Sequence, residues 1–248
     1  MNIRKFYAFD FDDNILEVES YIYLKNKEGE VEKFSTSEFA QVREKVDNKN
    51  YSFYEDSFKE FRSDFDKEFI QRAKNGKPMK SLPKFVECIN NADIFCIITA
   101  RGNSPEVIQT IIKNIITEEK YGISIESLKN NFSKKYKISI EDLNDENVIS
   151  LYINLCPAYP CQYEPYIEKY GIEDKNQEER KTFFMEKFIQ YIKRFRRPED
   201  KVYVGFSDDD KGNYEKMKEF FDKRKEGSDD IEFRTFYTGE SVKRIKNV

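Results

Sequence analysis

From Ile94 to Ile98 the chain runs IFCII, without one polar side chain, and then stops at Thr99. A strand with no polar face must be covered on both sides, which is the condition of a parallel sheet flanked by helices. The segment that follows, SPEVIQTIIKNII, carries the helical period, with Ser104 placed to cap it and Pro105 in its first turn. The alternation recurs along the chain. KFYAFDF reads as a buried strand, LPKFVECINN as a short helix, NVISLYINL as a strand and NQEERKTFFMEKFIQYIKRF as an amphipathic helix. KVYVGF is then a strand, NYEKMKEFFDKR a helix and IEFRTFYT a last strand. This order predicts an α/β fold, a Rossmann-like parallel sheet with helices on both faces.

One region interrupts the alternation. SYIYLKNKEGEVEKFST predicts a hairpin turning at Gly29, and residues 37–76 carry a helical pattern, with Phe58, Phe61, Phe65, Phe69 and Ile70 three or four apart. That stripe reads as core packing in preference to the lining of a substrate pocket. Residues 118–146 are charged and read as helical. The expected organisation is a core of residues 1–16 and 84–248, with residues 17–83 as a mostly helical insertion that includes the hairpin.

Composition narrows the function classes. Charged residues make up 36% of the chain against 38% hydrophobic, but 22 Phe and 16 Tyr set it apart from disordered sequences. The net charge of −4, with signs mixed throughout, supplies no global field for gripping nucleic acid. A local basic patch stays possible: the cluster Lys193, Arg194, Arg196 and Arg197 could touch a phosphate backbone, though its plainer reading is a solvated helix end. The chain has no His, which excludes Cys/His metal sites and triads with a His base. Cys88, Cys96, Cys156 and Cys161 read as free thiols. The first residues enter a strand directly, with no signal-peptide pattern, and no apolar run reaches membrane-spanning length. A cytoplasmic protein without membrane contact is the expectation.

Two strands end in acid. FYAFDFDDNIL delivers Asp10, Asp12 and Asp13 from one strand tip, and SDDDKGN delivers Asp208, Asp209 and Asp210 from another. In open parallel sheets the functional crevice lies at the carboxyl ends of the strands, so the two groups can meet there. Carboxylates gathered in this way suit a hard cation. Mg²⁺ takes one or two carboxylates together with water and substrate phosphate, and it shields the charge that would repel that phosphate. One carboxylate could then attack phosphorus while another, two residues on, moves a proton.

These residues resemble the short motifs of the haloacid dehalogenase-like superfamily, over roughly residues 2–16, 82–113 and 177–237. Asp10-Phe11-Asp12 is similar to its first motif. The resemblance implies that Asp10 is the nucleophile, forming an aspartyl-phosphate, and that Asp12 is the general acid and base, with its backbone carbonyl on Mg²⁺. Thr99 matches the second motif, implying that its hydroxyl and the following N–H hold phosphoryl oxygens, with Ala100 and Arg101 beside them. The third motif is a Lys at a helix start, for which Lys181 fits best and Lys187 is the alternative. In the fourth, Asp208 would bind Mg²⁺ and Asp209 would support it, with Asn213 beginning the next helix; the register among Asp208, Asp209 and Asp210 stays open. Two positions depart from the pattern, namely Asn14, where Thr or Val is usual, and Gly205-Phe206, where Gly–Asp is usual.

The resemblance implies a Mg²⁺-dependent phosphatase acting on a small phosphorylated substrate, with residues 17–83 as a cap. Four alternatives accompany it. They are a non-catalytic Mg²⁺ and phosphate binder on the same fold, motivated by Asn14 and Phe206; a phosphotransferase; a nucleic-acid end phosphatase; and a Ca²⁺ module. The last would use Asp208, Asp210, Gly212 and Glu219 as an EF-hand-like loop, which lacks the required Gly at Asn213 and an upstream helix.

Overall fold

A computed structural model describes residues 3–43, 46, 50–226 and 231–239; residues 240–248, assigned to the core by sequence, lie outside it. In chain order its strands are β1 (Ile3–Phe9), β2 (Leu16–Glu17), β3 (Tyr21–Asn26), β4 (Val31–Ser35), β5 (Tyr51–Ser52), β6 (Lys77–Pro78), β7 (Ile94–Thr99), β8 (Ala158–Pro160), β9 (Lys201–Asp208) and β10 (Ile231–Tyr237). Its helices are α1 (Thr36–Val42), α2 (Asp66–Lys74), α3 (Leu82–Asn90), α4 (Pro105–Thr117), α5 (Ile125–Tyr136), α6 (Asp145–Asn154), α7 (Glu164–Tyr170), α8 (Gln177–Ile192) and α9 (Lys211–Glu226).

The main sheet has five strands in the order β10-β9-β1-β7-β8, every pair parallel. The apolar run is explained by burial on both faces. Phe95 and Ile97 of β7 face a layer built from α3, α4, α5 and α6, while Ile94, Cys96 and Ile98 face α8 and α9. This is a Rossmann-like α/β sheet. Its order reverses between β9 and β1, and the carboxyl ends of those two neighbours mark the switch point where such sheets bind ligands.

The strand expected at NVISLYINL is a helix. Asn144 and Asn147 form a reciprocal capping box that starts α6, and Val148, Ile149, Tyr152 and Ile153 fall on one buried face with a helical spacing. The parallel strand that the topology requires comes later and is only the three residues of β8. Residues 118–146 are helical in α5 and in short 3₁₀ turns.

The insertion is mixed rather than mostly helical. β2 and β6 pair as an antiparallel ribbon at its base, with Leu16 opposite Pro78 and Glu17 opposite Lys77. Beyond that ribbon, β4, β3 and β5 form an antiparallel sheet whose hairpin turns at Gly29, with φ of 83°, as the sequence predicts. Ile22, Leu24 and Val46 make a small core with Phe34, Phe39, Val42, Tyr51 and Phe61. Among the described residues of 37–76, α-helix is confined to α1 and α2, with β5 and 3₁₀ turns at Lys59–Phe61 and Ser63–Phe65 between them. The aromatic stripe is therefore not one helical face. Phe69 is buried, whereas Phe58 is exposed and clusters with Phe39 and Phe53.

Candidate functional site

The switch point positions the acids. Asp10 follows the last residue of β1, and its N–H donates to the Ser207 carbonyl at 2.9 Å, carrying the β1–β9 ladder one residue further. Asp208 is the last residue of β9. Carboxylate oxygens of Asp10, Asp208 and Asp209 all lie within 4.8 Å of one another. Lys181 reaches them from the second turn of α8, which is fixed by an Asn176–Glu179 capping box. Its Nζ donates to Asp10 at 2.8 Å and to Asp208 at 2.7 Å, and the side chain is only 2% exposed. Lys187 lies elsewhere, with its ammonium over the rings of Tyr170 and Phe183.

The electrostatics of this cluster are unbalanced. Burial raises the carboxyls of Asp10 and Asp208, and burial followed by the nearby Asp208 pushes Asp209 up to about 8. Burial also disfavours the Lys181 ammonium, but Asp10 and Asp208 outweigh it and hold Lys181 charged. With all three carboxyls ionised, three carboxylates and one ammonium carry two negative charges, the amount a divalent cation neutralises. All the donors are hard oxygens. A further buried oxygen, Asn213 Oδ1, has no hydrogen-bond partner among the described residues, while Asn213 Nδ2 donates to Asp208 at 3.3 Å. This donor set fits Mg²⁺.

The Asp12 carboxylate turns away from the cluster. Both its oxygens accept from Arg101, from Nε at 2.8 Å and Nη2 at 2.7 Å. The other guanidinium N–H groups go to Ser20 Oγ (2.8 Å), the Glu60 carbonyl (3.3 Å) and Asn103 Oδ1 (3.4 Å). All five donors of Arg101 are thus used. The group is 0% exposed and sits 3.6 Å from the Phe69 ring centroid and 4.6 Å from that of Phe61. Sequence reasoning set Arg101 beside a phosphate; the structure commits its guanidinium to Asp12 and to the insertion. The neighbouring Gly102 is needed for the same docking. Its N–H donates to the Phe61 carbonyl at 2.7 Å, and a Cβ there would stand 2.8 Å from the Gln162 carbonyl oxygen.

Thr99 ends β7 at the same edge of the sheet. It is buried, and its Oγ1 accepts the Arg101 backbone N–H at 3.3 Å. Ala100, which follows it, is half-buried. Asp13 takes a left-handed φ of 53° to turn the chain out of β1, and burial pushes its carboxyl up to about 6 against a hydrogen bond from Thr36. Asp210 serves the helix: its Oδ1 accepts the Asn213 N–H at 2.9 Å at the start of α9. Glu219 is exposed farther along α9, so the EF-hand-like loop does not form. Phe206 is a core residue between Ala8 and Thr235 in the sheet.

Sequence reasoning missed a buried polar knot beneath the cluster. Asn14 Nδ2 donates to the Asp10 carbonyl (2.9 Å), the Ser207 carbonyl (3.2 Å) and Ser207 Oγ (3.0 Å). Its Oδ1 accepts from Ser81 Oγ and Thr238 Oγ1, both at 2.7 Å. One side chain therefore ties the ends of β1, β9 and β10 to the start of α3. Its departure from the Thr or Val pattern was the available signal. Arg43 was also missed. From the end of α1 it lies 3.3 Å from Asp210 and 3.6 Å from Glu178, so the insertion reaches the rim of the cluster.

Fold and site together define a Rossmann-like α/β protein with a buried acid cluster at the switch point of its sheet. Compared with protein-family models, curated proteins and solved structures, the chain matches none. No helix among the described residues is long and apolar enough to cross a membrane.

Proposed function

We propose that the chain is a Mg²⁺-dependent phosphatase of the haloacid dehalogenase type, working through an aspartyl-phosphate. One observation carries this reading: Asp10 and Asp208, from neighbouring strands 198 residues apart in sequence, share the ammonium of Lys181 at 2.8 and 2.7 Å. Together with Asp209 they form a donor set short of one divalent cation. Mg²⁺, when bound by Asp10, Asp208 and Asp209, would neutralise the pocket and draw in a phosphate.

The residues then divide the work. An Asp10 oxygen attacks phosphorus in line as the P–O bond to the leaving group breaks, and Asp12, after turning from Arg101 and taking up a proton from solvent, gives that proton to the leaving oxygen. Asp12 next takes a proton from water as the water attacks the aspartyl-phosphate, releasing inorganic phosphate and restoring Asp10. Thr99 Oγ1 and the Ala100 N–H hold phosphoryl oxygens, and Lys181 offsets their charge. Arg101 sets the Asp12 carboxylate and does not touch the phosphate. Residues 17–83 act as the cap, and a small phosphorylated molecule is the simplest substrate class.

A second reading, a binder of Mg²⁺ and phosphate without turnover, draws on the grip of Arg101 on both oxygens of Asp12. Release of phosphate from an aryl phosphate with Mg²⁺ separates the two. The enzyme loses activity in Asp10→Asn and in EDTA. Binding of Mg²⁺ with beryllium fluoride, without turnover of any phosphate ester, favours the binder.

A further inference from the structure

The insertion sheet has a face its small core does not use. Ile22 and Leu24 point into that core, so strand alternation puts Tyr21, Tyr23 and Lys25 on the opposite face. Lys33 stands opposite Tyr23 in register and shares that face. Three ammonium groups cover three rings there: Lys33 over Tyr21 at 4.5 Å, Lys59 over Tyr23 at 4.4 Å and Lys25 over Tyr54 at 5.0 Å. None of the three lysines forms an ion pair among the described residues. Two acids border the face, and each is hydrogen-bonded within the insertion. Glu60 accepts from Arg72, the Tyr23 hydroxyl and the Tyr21 N–H, and Glu19 accepts from the Tyr21 hydroxyl.

This face begins beside the Asp12–Arg101 ion pair. Ser20, which accepts from Arg101 at 2.8 Å, precedes Tyr21, and Glu60, whose carbonyl accepts from Arg101 at 3.3 Å, follows Lys59. From Tyr21 to Lys25 the strand runs about 13 Å at its usual rise, the length of about four stacked nucleotides. The basic cluster noted in the sequence is at the wrong place for such a role. Lys193 follows the last residue of α8, about 18 Å along that helix from Lys181.

We propose that this face binds single-stranded nucleic acid, with phosphates on Lys25, Lys33 and Lys59 and bases against the tyrosine rings. Cations without an ion-pair partner among the described residues, each set over one side of a half-buried aromatic ring, bring together the charge and the ring that such strands use; an acidic polypeptide would use the charges alone. That the terminal phosphate of the strand is the substrate rests on the phosphatase reading, whereas binding itself does not.

The test is fluorescence anisotropy of a labelled dodecathymidylate at several salt concentrations, alongside phosphate release from an aryl phosphate. The expected result is saturable binding with a log–log salt slope of about −2 from three phosphate contacts. Replacing Lys25, Lys33 and Lys59 together by Gln should weaken binding at least tenfold and flatten that slope, whereas replacing the exposed Lys113, Lys216 and Lys218 should not. No binding by the wild type, or equal loss in both triple variants, overturns the proposal. Displacement by polyglutamate as effective as by unlabelled strand overturns it in favour of an acidic polypeptide. Strand binding without release of phosphate from any ester supports the face and removes the phosphatase reading; release without strand binding does the reverse.

Discussion

Arg101 holds both carboxylate oxygens of Asp12, at 2.8 and 2.7 Å, across 89 residues of sequence. Through its remaining donors it also holds Ser20 and Glu60, so the loop after β7 fixes the loop after β1 and the insertion at once. The orientation of Asp12 is therefore a property of the assembled molecule.

Removing that guanidinium should be costly. Arg101→Ala leaves Asp12 and the Glu60 carbonyl without their partner and opens a void beside Phe69. A loss of about 3–5 kcal/mol, typical of breaking a buried pair, is expected in urea unfolding. Arg101→Lys keeps the charge but not the fork, and should fall between the two proteins in stability while turnover stays low. Wild-type stability in Arg101→Ala would show that the pair carries nothing.

The two lysines of α8 should behave differently. Lys181→Met leaves Asp10, Asp208 and Asp209 without a cation and should abolish phosphate release, with destabilisation of about 3–5 kcal/mol that Mg²⁺ partly restores. Lys187→Met removes only an ammonium lying over Tyr170 and Phe183 and should change each by little. Steady-state kinetics and urea unfolding, each with and without Mg²⁺, check both.

Stabilisation by Mg²⁺ should grow with pH. Asp209 ionises at about 8 in the folded protein, because burial and then Asp208 oppose its charge, against about 3.9 when unfolded. Between those values the unfolded state has lost a proton that the folded state keeps, so the metal-free protein loses stability as pH rises. A bound cation favours the ionised carboxylates and cancels that loss. The rise in melting temperature on adding Mg²⁺ should be larger at pH 8 than at pH 6, and an equal or smaller rise would contradict the assignment of the cluster.

Asn14 should be intolerant of replacement. Asn14→Val removes the amide that satisfies the Asp10 and Ser207 carbonyls and the Ser81 and Thr238 hydroxyls. Leaving several buried polar groups unpaired at about 1–3 kcal/mol each predicts a loss of at least about 3 kcal/mol, read from the urea midpoint.

The regular core was legible in the sequence because its signals are local. An apolar run with no polar face, as at β7, and a capped, periodic stretch, as at α4 and α8, each specify their element from a few consecutive residues. NVISLYINL misled because β-branched residues suit strands and buried helix faces alike. Its capping box, Asn144 with Asn147, was the local signal that decides for helix. The stripe from Phe58 to Phe69 misled for the opposite reason: its spacing is helical, but residues 57–65 are held by contacts with β3 and with Arg101 rather than by a helix.

The sequence by itself determined that two strand tips carry acids, that a lysine stands early in a long helix, and that no His chemistry is open to this protein. Spacing along one chain does not say which carboxylates meet. That was decided by the strand order, which sets β1 beside β9 and so brings Asp10, Asp208 and Lys181 within hydrogen-bonding distance. Tertiary structure likewise turned Asp12 toward Arg101 and made Asn14 a buried knot. A guanidinium in a buried site goes to the acceptors that leave none of its donors unpaired, and three of the five Arg101 donors find theirs on groups outside the strand tips.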